Sequence, residues 1–280
     1  MSGTEETAEG TGPFTTRLTW HLSDGGTAVW ESRPARKRGL LSVRTASGPE
    51  ARSRRADGES VARLGRLNAV AAGTFTVGGA LFASGAAVAQ FGAGDLTSAW
   101  IYFAGGLFFN TGGFASLLQA VNAPRPDSGF GTPPTRAWRW WVYEPGRIDW
   151  LSTFLLFVGT LVFGVNLLGS LLHGLSVRQM DSLVWAPDVV GCILFLVSGH
   201  LALAEVCHGR LGIRPRELGW WIVAVNQLGS ALFMASALAD FTRPATGSVV
   251  NVDVANWGTL TGALCFSVGG VLQFFERPRP

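Results

Sequence analysis

The residues of this chain best able to do chemistry are polar and ionisable side chains inside long apolar stretches. Such groups are unfavourable in a bilayer and often mark binding or transport sites. The asparagines among them fall at different positions in their stretches, which favours hydrogen bonds between helices over one shared site. The set consists of Asn110, Asn166, Asn226, Gln227, His200, Glu205 and His208.

Glu205 and His208 have the Glu-x-x-His spacing of metal centres in helix bundles, but such centres need a second pair and the sequence contains none. HExxH, Walker-type and serine-nucleophile motifs are also absent from the sequence. Cys192, Cys207 and Cys265 lie in or beside apolar stretches without paired spacing, which favours a packing role. We therefore predict no catalytic residue, no metal ion and no cofactor, and a protein that is not an enzyme.

The composition of the 280 residues is that of a polytopic membrane protein. Hydrophobic residues make up 48% and charged residues 15%, whereas an ordinary soluble domain carries about 25% charged residues. This excludes a single soluble domain, a coiled coil and a disulfide-rich module. A membrane-spanning helix needs about 20 apolar residues, and six segments are long enough. They cover residues 67–91, 97–121, 148–172, 187–208, 218–240 and 254–275.

The distribution of basic residues predicts the orientation of these segments. Residues 1–66, the loops after the second and fourth segments and the C-terminus hold 20 of the 22 basic residues. By the positive-inside rule, both termini are expected in the cytoplasm. The first apolar run begins near residue 67, so no signal peptide is expected. Because the chain has 21 arginines and one lysine, a bias typical of GC-rich bacterial genomes, we predict a multi-pass protein of the bacterial plasma membrane.

Each of the six segments carries Gly-x-x-x-Phe near its middle, whereas chance would place about two such pairs in the whole chain. The pattern predicts three two-helix hairpin repeats, at about 67–121, 148–208 and 218–275, that point the same way around an axis along the membrane normal. A mid-membrane glycine lets a neighbouring backbone approach, so packing is the favoured role and pore lining the alternative. The pairs are Gly78/Phe82, Gly105/Phe109, Gly159/Phe163, Gly191/Phe195, Gly229/Phe233 and Gly262/Phe266.

Three polar residues follow the phenylalanines of the even-numbered segments at the same distance. Gln119, Glu205 and Glu276 each lie ten residues after their Phe, which is about 15 Å along a helix. We expect them to form a polar rim around the repeat axis at the cytoplasmic boundary. Arg210 and Arg277 are the nearby cations expected to compensate the two carboxylates.

Residues 1–66 are expected to form a basic, partly disordered cytoplasmic arm. Within it, residues 15–33 predict a short β-hairpin around Asp24-Gly25-Gly26, and residues 34–62, rich in Arg, Ser and Gly, resemble a linker. A basic segment beside a membrane is expected to contact anionic lipid headgroups. No nucleic-acid-binding motif is present, so no nucleic acid is expected as a partner.

Four stretches carry a resemblance to a known family: residues 141–163, 183–199, 219–241 and 254–270, which read WVYEPGRIDWLSTFLLFVGTLVF, LVWAPDVVGCILFLVSG, GWWIVAVNQLGSALFMASALADF and VANWGTLTGALCFSVGG. They resemble bacterial integral membrane proteins built on a YrhK-like two-helix hairpin domain. The resemblance implies an all-α architecture of membrane hairpins, and it carries over no active-site residue.

Two classes of function remain open at the level of sequence. The first is a non-enzymatic membrane protein with a structural, accessory or sensory role, which the dominance of packing motifs favours. The second is a channel or transporter for a small solute along the axis between the repeats. A tightly closed core favours the first, and a water-accessible central cavity lined by Asn110, Asn226 or His200 favours the second. A homo-oligomer or a further membrane partner is compatible with both.

Overall fold

The computed structural model describes residues 6–21, 25–44, 51–55, 58–92, 94–124, 138–209 and 212–276. It is mostly helical, with a small antiparallel sheet formed by the N-terminal residues. The strands are β1 (Glu6–Thr11), β2 (Phe14–His21), β3 (Thr27–Glu31), β4 (Leu40–Arg44) and β5 (Ala51–Arg55). The helices are α1 (Ser32–Arg38), α2 (Gly58–Gln90), α3 (Asp95–Val121), α4 (Ile148–Ser170), α5 (Val177–Met180), α6 (Ala186–Val206), α7 (Leu218–Ala239) and α8 (Val252–Phe274).

Within the described residues, five helical segments are long and apolar enough to cross a membrane, as in a membrane protein of several spans. They are Gly58–Gln90, Leu96–Val121, Ile148–Ser170, Val177–Val206 and Leu218–Ala239. The fourth is longer than α6 because α5 continues through a π-helical turn, Asp181–Trp185, into α6. Helix α8 has 23 residues but is not among the five, so the predicted sixth span and the predicted repeats stay predictions.

The six long helices form a closed ring. Helix α2 packs on α3, α3 on α4, α4 on α6, α6 on α7, α7 on α8, and α8 returns to α2. Large apolar side chains such as Leu107, Leu168 and Leu228 are exposed on the outside of this ring. An apolar outer surface is suited to a ring surrounded by lipid, because lipid tails cannot form hydrogen bonds with polar side chains.

Glycines let the two helices of each hairpin approach closely. A methyl group added at Gly78 would lie 2.7 Å from Phe109 Cδ2 and 3.1 Å from the Gly105 carbonyl oxygen. At Gly105 it would lie 2.8 Å from Phe82 Cδ2. Each phenylalanine of this hairpin therefore covers the glycine of the other helix. The same crossed arrangement occurs at Gly159/Phe195, Gly191/Phe163, Gly229/Phe266 and Gly262/Phe233.

The N-terminal sheet is an antiparallel meander in the order β1 to β5. The hairpin predicted within residues 15–33 is confirmed, because β2 pairs with β3 in register from Arg17–Glu31 to His21–Thr27. A small core of Trp20, Ala28, Trp30 and Ala35 holds the sheet to α1.

The linker predicted at residues 34–62 is wrong over its described part, which contains α1, β4, β5 and the beginning of α2. Residues 45–50 and 56–57 of that range lie outside the described residues. Within this Arg-rich stretch, β4 pairs with β3 in the antiparallel sheet. Helix α2 also begins at Gly58, ahead of the predicted residue 67. Its first turns are polar and are joined by a Glu59–Arg63 ion pair, which extends the helix beyond the apolar stretch.

Candidate functional site

Helix α1 lies across the end of the ring that faces the sheet, where it contacts α2, α3 and α6. It follows β3 directly and ends at Gly39, whose left-handed φ of 60° lets its amide donate to the Ala35 carbonyl. Arg33, Arg36 and Lys37 have i, i+3 and i+4 spacing, which places them on one helix face. We call these three residues the basic face of α1; it points into the end of the helix ring.

The carboxylate of Glu205 receives two hydrogen bonds from α1. Ser32 Oγ donates to its Oε1 at 2.9 Å and Arg36 Nη2 donates to its Oε2 at 3.0 Å. Both members of the Arg36–Glu205 pair are almost completely buried, with 5% and 0% of their side chains exposed. This ion pair, which is shielded from water, connects α1, and with it the N-terminal sheet, to the end of α6.

Glu276 receives a two-pronged hydrogen bond from the same helix. Arg33 Nε donates to Oε1 at 2.8 Å and Nη2 donates to Oε2 at 3.0 Å. Burial by itself raises the pKa of Glu276, but the neighbouring Arg33 and Lys37 lower it below its usual value. For Arg33, burial lowers the pKa while Glu276 and Glu205 raise it, and the net effect is a raised pKa. Both groups are therefore charged at neutral pH.

Lys37 differs from the two arginines because its partner is neutral. Its Nζ donates to Asn68 Oδ1 at 3.0 Å, and Asn68 is held in turn by the Gln273 side chain and backbone. Among the described residues, no carboxylate lies within 4 Å of the Lys37 ammonium. Burial, followed by the nearby Arg36, lowers the pKa of Lys37 well below its usual value.

The structure brings the three residues of the predicted polar rim to this end of the ring, and all three are buried. Gln119 Nε2 donates to the Leu64 carbonyl at 3.1 Å. Arg210 and Arg277, the expected cations, lie outside the described residues. The ion-pair partners of the two carboxylates are instead Arg36 and Arg33. The sequence does not single out these two arginines, because Arg33 ends the predicted hairpin and Arg36 lies in the predicted linker. The helical spacing of the basic face is the signal that could identify them.

A cavity of about 100 Å³ lies directly inside the basic face of α1. We call it the sheet-side cavity. Arg33, Arg36 and Lys37 line one side of it, and Phe195 and Phe266 lie among its apolar lining residues. Asn226 also lines it, and its Oδ1 has no hydrogen-bond partner among the described residues. The remaining polar lining residues are Ser116, Ser152, Thr153, Ser198, Ser230 and Gln273.

The phenylalanines of the six Gly-x-x-x-Phe motifs meet inside the ring and form what we call the phenylalanine cluster. The rings of Phe82, Phe163 and Phe233 contact one another with centroids 5.6, 6.1 and 6.2 Å apart. Phe266 lies 5.6 Å from Phe109 and 6.2 Å from Phe195, and 5.2 Å from Phe233. The odd-numbered and even-numbered segments thus each contribute three rings to one apolar cluster.

A second cavity, of about 160 Å³, lies on the other side of this cluster. We call it the far cavity. Three of the six phenylalanines, Phe82, Phe163 and Phe233, line it, whereas Phe195 and Phe266 line the sheet-side cavity. Two carboxylates, Asp188 and Asp240, also line the far cavity. The interior of the ring is therefore basic near the sheet, apolar in the middle and acidic at the other end.

The other predicted polar residues are spread over the ring. Asn166 lines the far cavity, where its Nδ2 donates to the Val184 carbonyl at 2.9 Å. Asn110 is half-buried, and its Oδ1 has no partner among the described residues. His200 is exposed on the outer surface. These three do not meet at one site.

The Glu205 and His208 side chains diverge. Glu205 faces α1, whereas His208 Nδ1 lies 3.3 Å from Thr16 Oγ1 of the sheet. His208 ends the α6 region with a φ of 50°, which turns its ring toward the sheet. Within the described ranges, no group of three or more His, Cys, Asp and Glu side chains is close enough to hold a metal ion.

Comparisons of the chain with protein-family models, with curated proteins and with solved structures find no match. What the site can do chemically follows from its charges, its two cavities and the phenylalanine cluster between them.

Proposed function

We propose that this protein is a channel or transporter for a small solute, captured in a closed state. The observation that carries the proposal is the pair of cavities, sheet-side and far, that lie inside the ring on opposite sides of the phenylalanine cluster, each with charged and polar side chains in its lining. An apolar constriction between two wet regions can block conduction by excluding water. Rotation of a few aromatic rings would then join the two cavities.

The proposal includes six spans arranged as three parallel hairpin repeats. Helix α8 packs between α7 and α2, so much of its surface faces protein and it needs less hydropathy than a lipid-facing helix. Its polar residues Asn256 and Gln273 line the far and sheet-side cavities, respectively. The matched glycine–phenylalanine contacts of the three hairpins support a common repeated unit, as in YrhK-like proteins.

We further propose that the sheet lies in the cytoplasm of a bacterium and that the basic N-terminal segment, residues 1–66, contacts anionic lipid. The 20 to 2 division of basic residues between alternate loops supports this orientation. In that orientation a solute from the cytoplasm passes α1 first, and a solute from outside meets Asp188 and Asp240 first.

A structural or sensory role is the second candidate, and the tight seating of α1 favours it. The buried ion pairs of Arg33 and Arg36 hold the N-terminal domain firmly to the ring. A domain fixed in this way could report a change in the membrane region to a partner in the cytoplasm without any solute crossing.

Flux through reconstituted vesicles distinguishes the two roles. We expect the double variant Phe82→Ala/Phe163→Ala to leak small ions, because it removes two of the three rings that contact one another beside the far cavity. The matched control is Phe114→Ala, on the outer side of α3, where the side chain is 38% exposed. Leakage from the double variant and none from the control supports the channel. If a folded double variant leaks no more than the control, the transport proposal is wrong.

A further inference from the structure

We infer that the sheet-side cavity is a binding site for a small monovalent anion, of the halide, nitrate or formate class, with Lys37 as its principal counter-charge. This inference deepens the proposed function, on which it rests for the identity of the solute. The charges around the cavity, its hydrogen-bond donors and its size support this inference.

Among the described residues, the charges that face one another between α1 and the ends of α6 and α8 do not balance. Arg33, Arg36 and Lys37 supply three cations, while Glu205 and Glu276 supply two carboxylates that the arginines already bind. The carboxylates near the start of α4, Glu144 and Asp149, bind Arg147 instead. A protonated Lys37 is therefore a positive charge in excess. A buried charge without a counter-charge is strongly unfavourable. The protein can relieve it by losing the proton or by admitting an anion.

Hydrogen-bond donors for an anion line the cavity. The Lys37 ammonium has three N–H groups, and among the described residues its hydrogen bond to Asn68 Oδ1 occupies one of them. The Nε of Arg36 is buried and has no hydrogen-bond partner within the same ranges. Arg36 and Lys37 are only 4% and 6% exposed, and both line the cavity. Two adjacent cationic side chains thus offer N–H groups to the same cavity.

Four hydroxyl groups around the cavity already use their hydrogens on backbone carbonyls. Ser152 Oγ and Ser198 Oγ donate to each other's backbone carbonyls at 2.9 and 2.8 Å. Ser230 Oγ donates to the Asn226 carbonyl at 3.1 Å, and Thr153 Oγ1 donates to the Asp149 carbonyl at 2.8 Å. The donors that these surroundings offer to an anion are therefore mainly those of Lys37 and Arg36.

The space and the single excess charge together favour a small monovalent ligand. One buried water needs about 10–15 Å³ of such volume, so about 100 Å³ holds one small anion together with several waters. Phe195 and Phe266 limit the cavity on the membrane side and α1 limits it on the other. A dicarboxylate or a sugar phosphate would bring two negative charges to one excess positive charge, and a lipid headgroup would remain attached to its glycerol and acyl chains.

The chain offers an unusually direct probe, because Lys37 is its only lysine. Biosynthetic labelling with ε-¹³C-lysine gives a single side-chain NMR signal from the intact, unmutated protein. Titration with sodium nitrate in a sodium gluconate background, in neutral-lipid nanodiscs, is expected to shift this signal saturably. Gluconate, a bulkier monovalent anion with the same charge as nitrate, serves as the control anion. A shift that gluconate reproduces, or no shift at all, overturns the inference.

Calorimetric titration of variants with nitrate provides an independent measurement. Lys37→Gln is expected to weaken nitrate binding at least tenfold, whereas Arg63→Gln, which removes a more exposed cation on α2, leaves it unchanged. Nanodiscs with anionic lipid provide the second arm. If only anionic lipid shifts the lysine signal and nitrate does not, the ligand is a headgroup and the inference is wrong.

Flux measurements separate this inference from the proposed function. Saturable nitrate binding at Lys37 without flux, even in the Phe82→Ala/Phe163→Ala variant, would support the anion site and contradict the channel. Flux of another solute without any effect of nitrate on the lysine signal would support the channel and contradict the anion site.

Discussion

Arg36 and Glu205 are 169 positions apart in the chain, yet Nη2 of the arginine donates to Oε2 of the glutamate at 3.0 Å in a site shielded from water. The pair joins α1, the helix between β3 and β4, to the last turn of α6. A buried ion pair is weak evidence of a large net stabilisation, because desolvation offsets the attraction. Its geometry nevertheless fixes where α1 sits, and with it the position of Lys37 beside the cavity.

Glu205→Gln should destabilise the protein strongly. Glutamine keeps the size of the side chain but leaves the Arg36 guanidinium buried without a counter-charge, and removing one partner of a buried pair costs about 3–5 kcal/mol. The control is Glu217→Gln, whose side chain is 50% exposed beside Arg214, where a loss of about 0–1 kcal/mol is expected. Thermal unfolding in detergent measures both. Similar losses in the two variants would contradict the structural role of the buried pair.

Gly262→Ala should also destabilise the protein, by about 1–3 kcal/mol, because the added methyl group overpacks a close helix crossing. It would lie 2.6 Å from Phe233 Cδ1 and 3.0 Å from the Gly229 carbonyl oxygen. Gly65 is the matched control, since a methyl group there meets nothing within 4 Å.

At Gly65, alanine is expected to be neutral or to stabilise α2 by up to about 1 kcal/mol, following helix propensity. Thermal unfolding of the two variants under one set of conditions tests the pair. A Gly262→Ala protein as stable as Gly65→Ala would show that this crossing tolerates more separation than the contacts indicate.

The stability of the protein should rise with pH in the alkaline range when no small anion is present. Burial lowers the pKa of Lys37 in the folded state, so the unfolded chain binds more protons between that lowered value and about 10.5. Stability rises with pH wherever the unfolded state binds more protons. The charged groups that face Lys37 are Arg33, Arg36, Glu205 and Glu276.

Lys37→Met is expected to abolish this part of the pH dependence, while Arg63→Gln retains it. Unfolding in gluconate buffers between pH 7 and 10 provides the measurement. The same slope in wild type and Lys37→Met would mean that Lys37 is charged in the folded protein across the range.

Reporter fusions test the sixth span. Fusions after residues 94 and 247 should report the periplasm, and fusions after residues 130 and 212 the cytoplasm, as the charge distribution predicts. A fusion at the C-terminus, beyond α8, should report the cytoplasm again. If the fusions after residue 247 and at the C-terminus report the same side, α8 does not cross the membrane.

The sequence predicts the long helices well, because continuous apolar runs of membrane length have few other structures available. It also indicates where helices approach closely, because the Gly-x-x-x-Phe spacing of Gly78 and Phe82 recurs in each long apolar segment and places both residues on one helix face. It does not predict that α1 packs against the end of the helix ring. The composition around Arg33, Arg36 and Lys37 is that of a solvated linker, and their partners Glu205 and Glu276 lie far along the chain. Only the tertiary fold brings these groups together.

The closure of the helix ring sets an order for biosynthesis. Helix α2 leaves the ribosome first among the long helices and α8 last, yet the two pack against each other, and Arg33 binds a carboxylate 243 positions further on. Until α8 is made, the side of α2 that contacts α8 therefore has no neighbour, and the basic face of α1 lacks one of its two carboxylates. A chain cut short before α8 keeps a gap in its wall open to lipid. Such a chain is a natural substrate for the proteases that survey newly inserted membrane proteins.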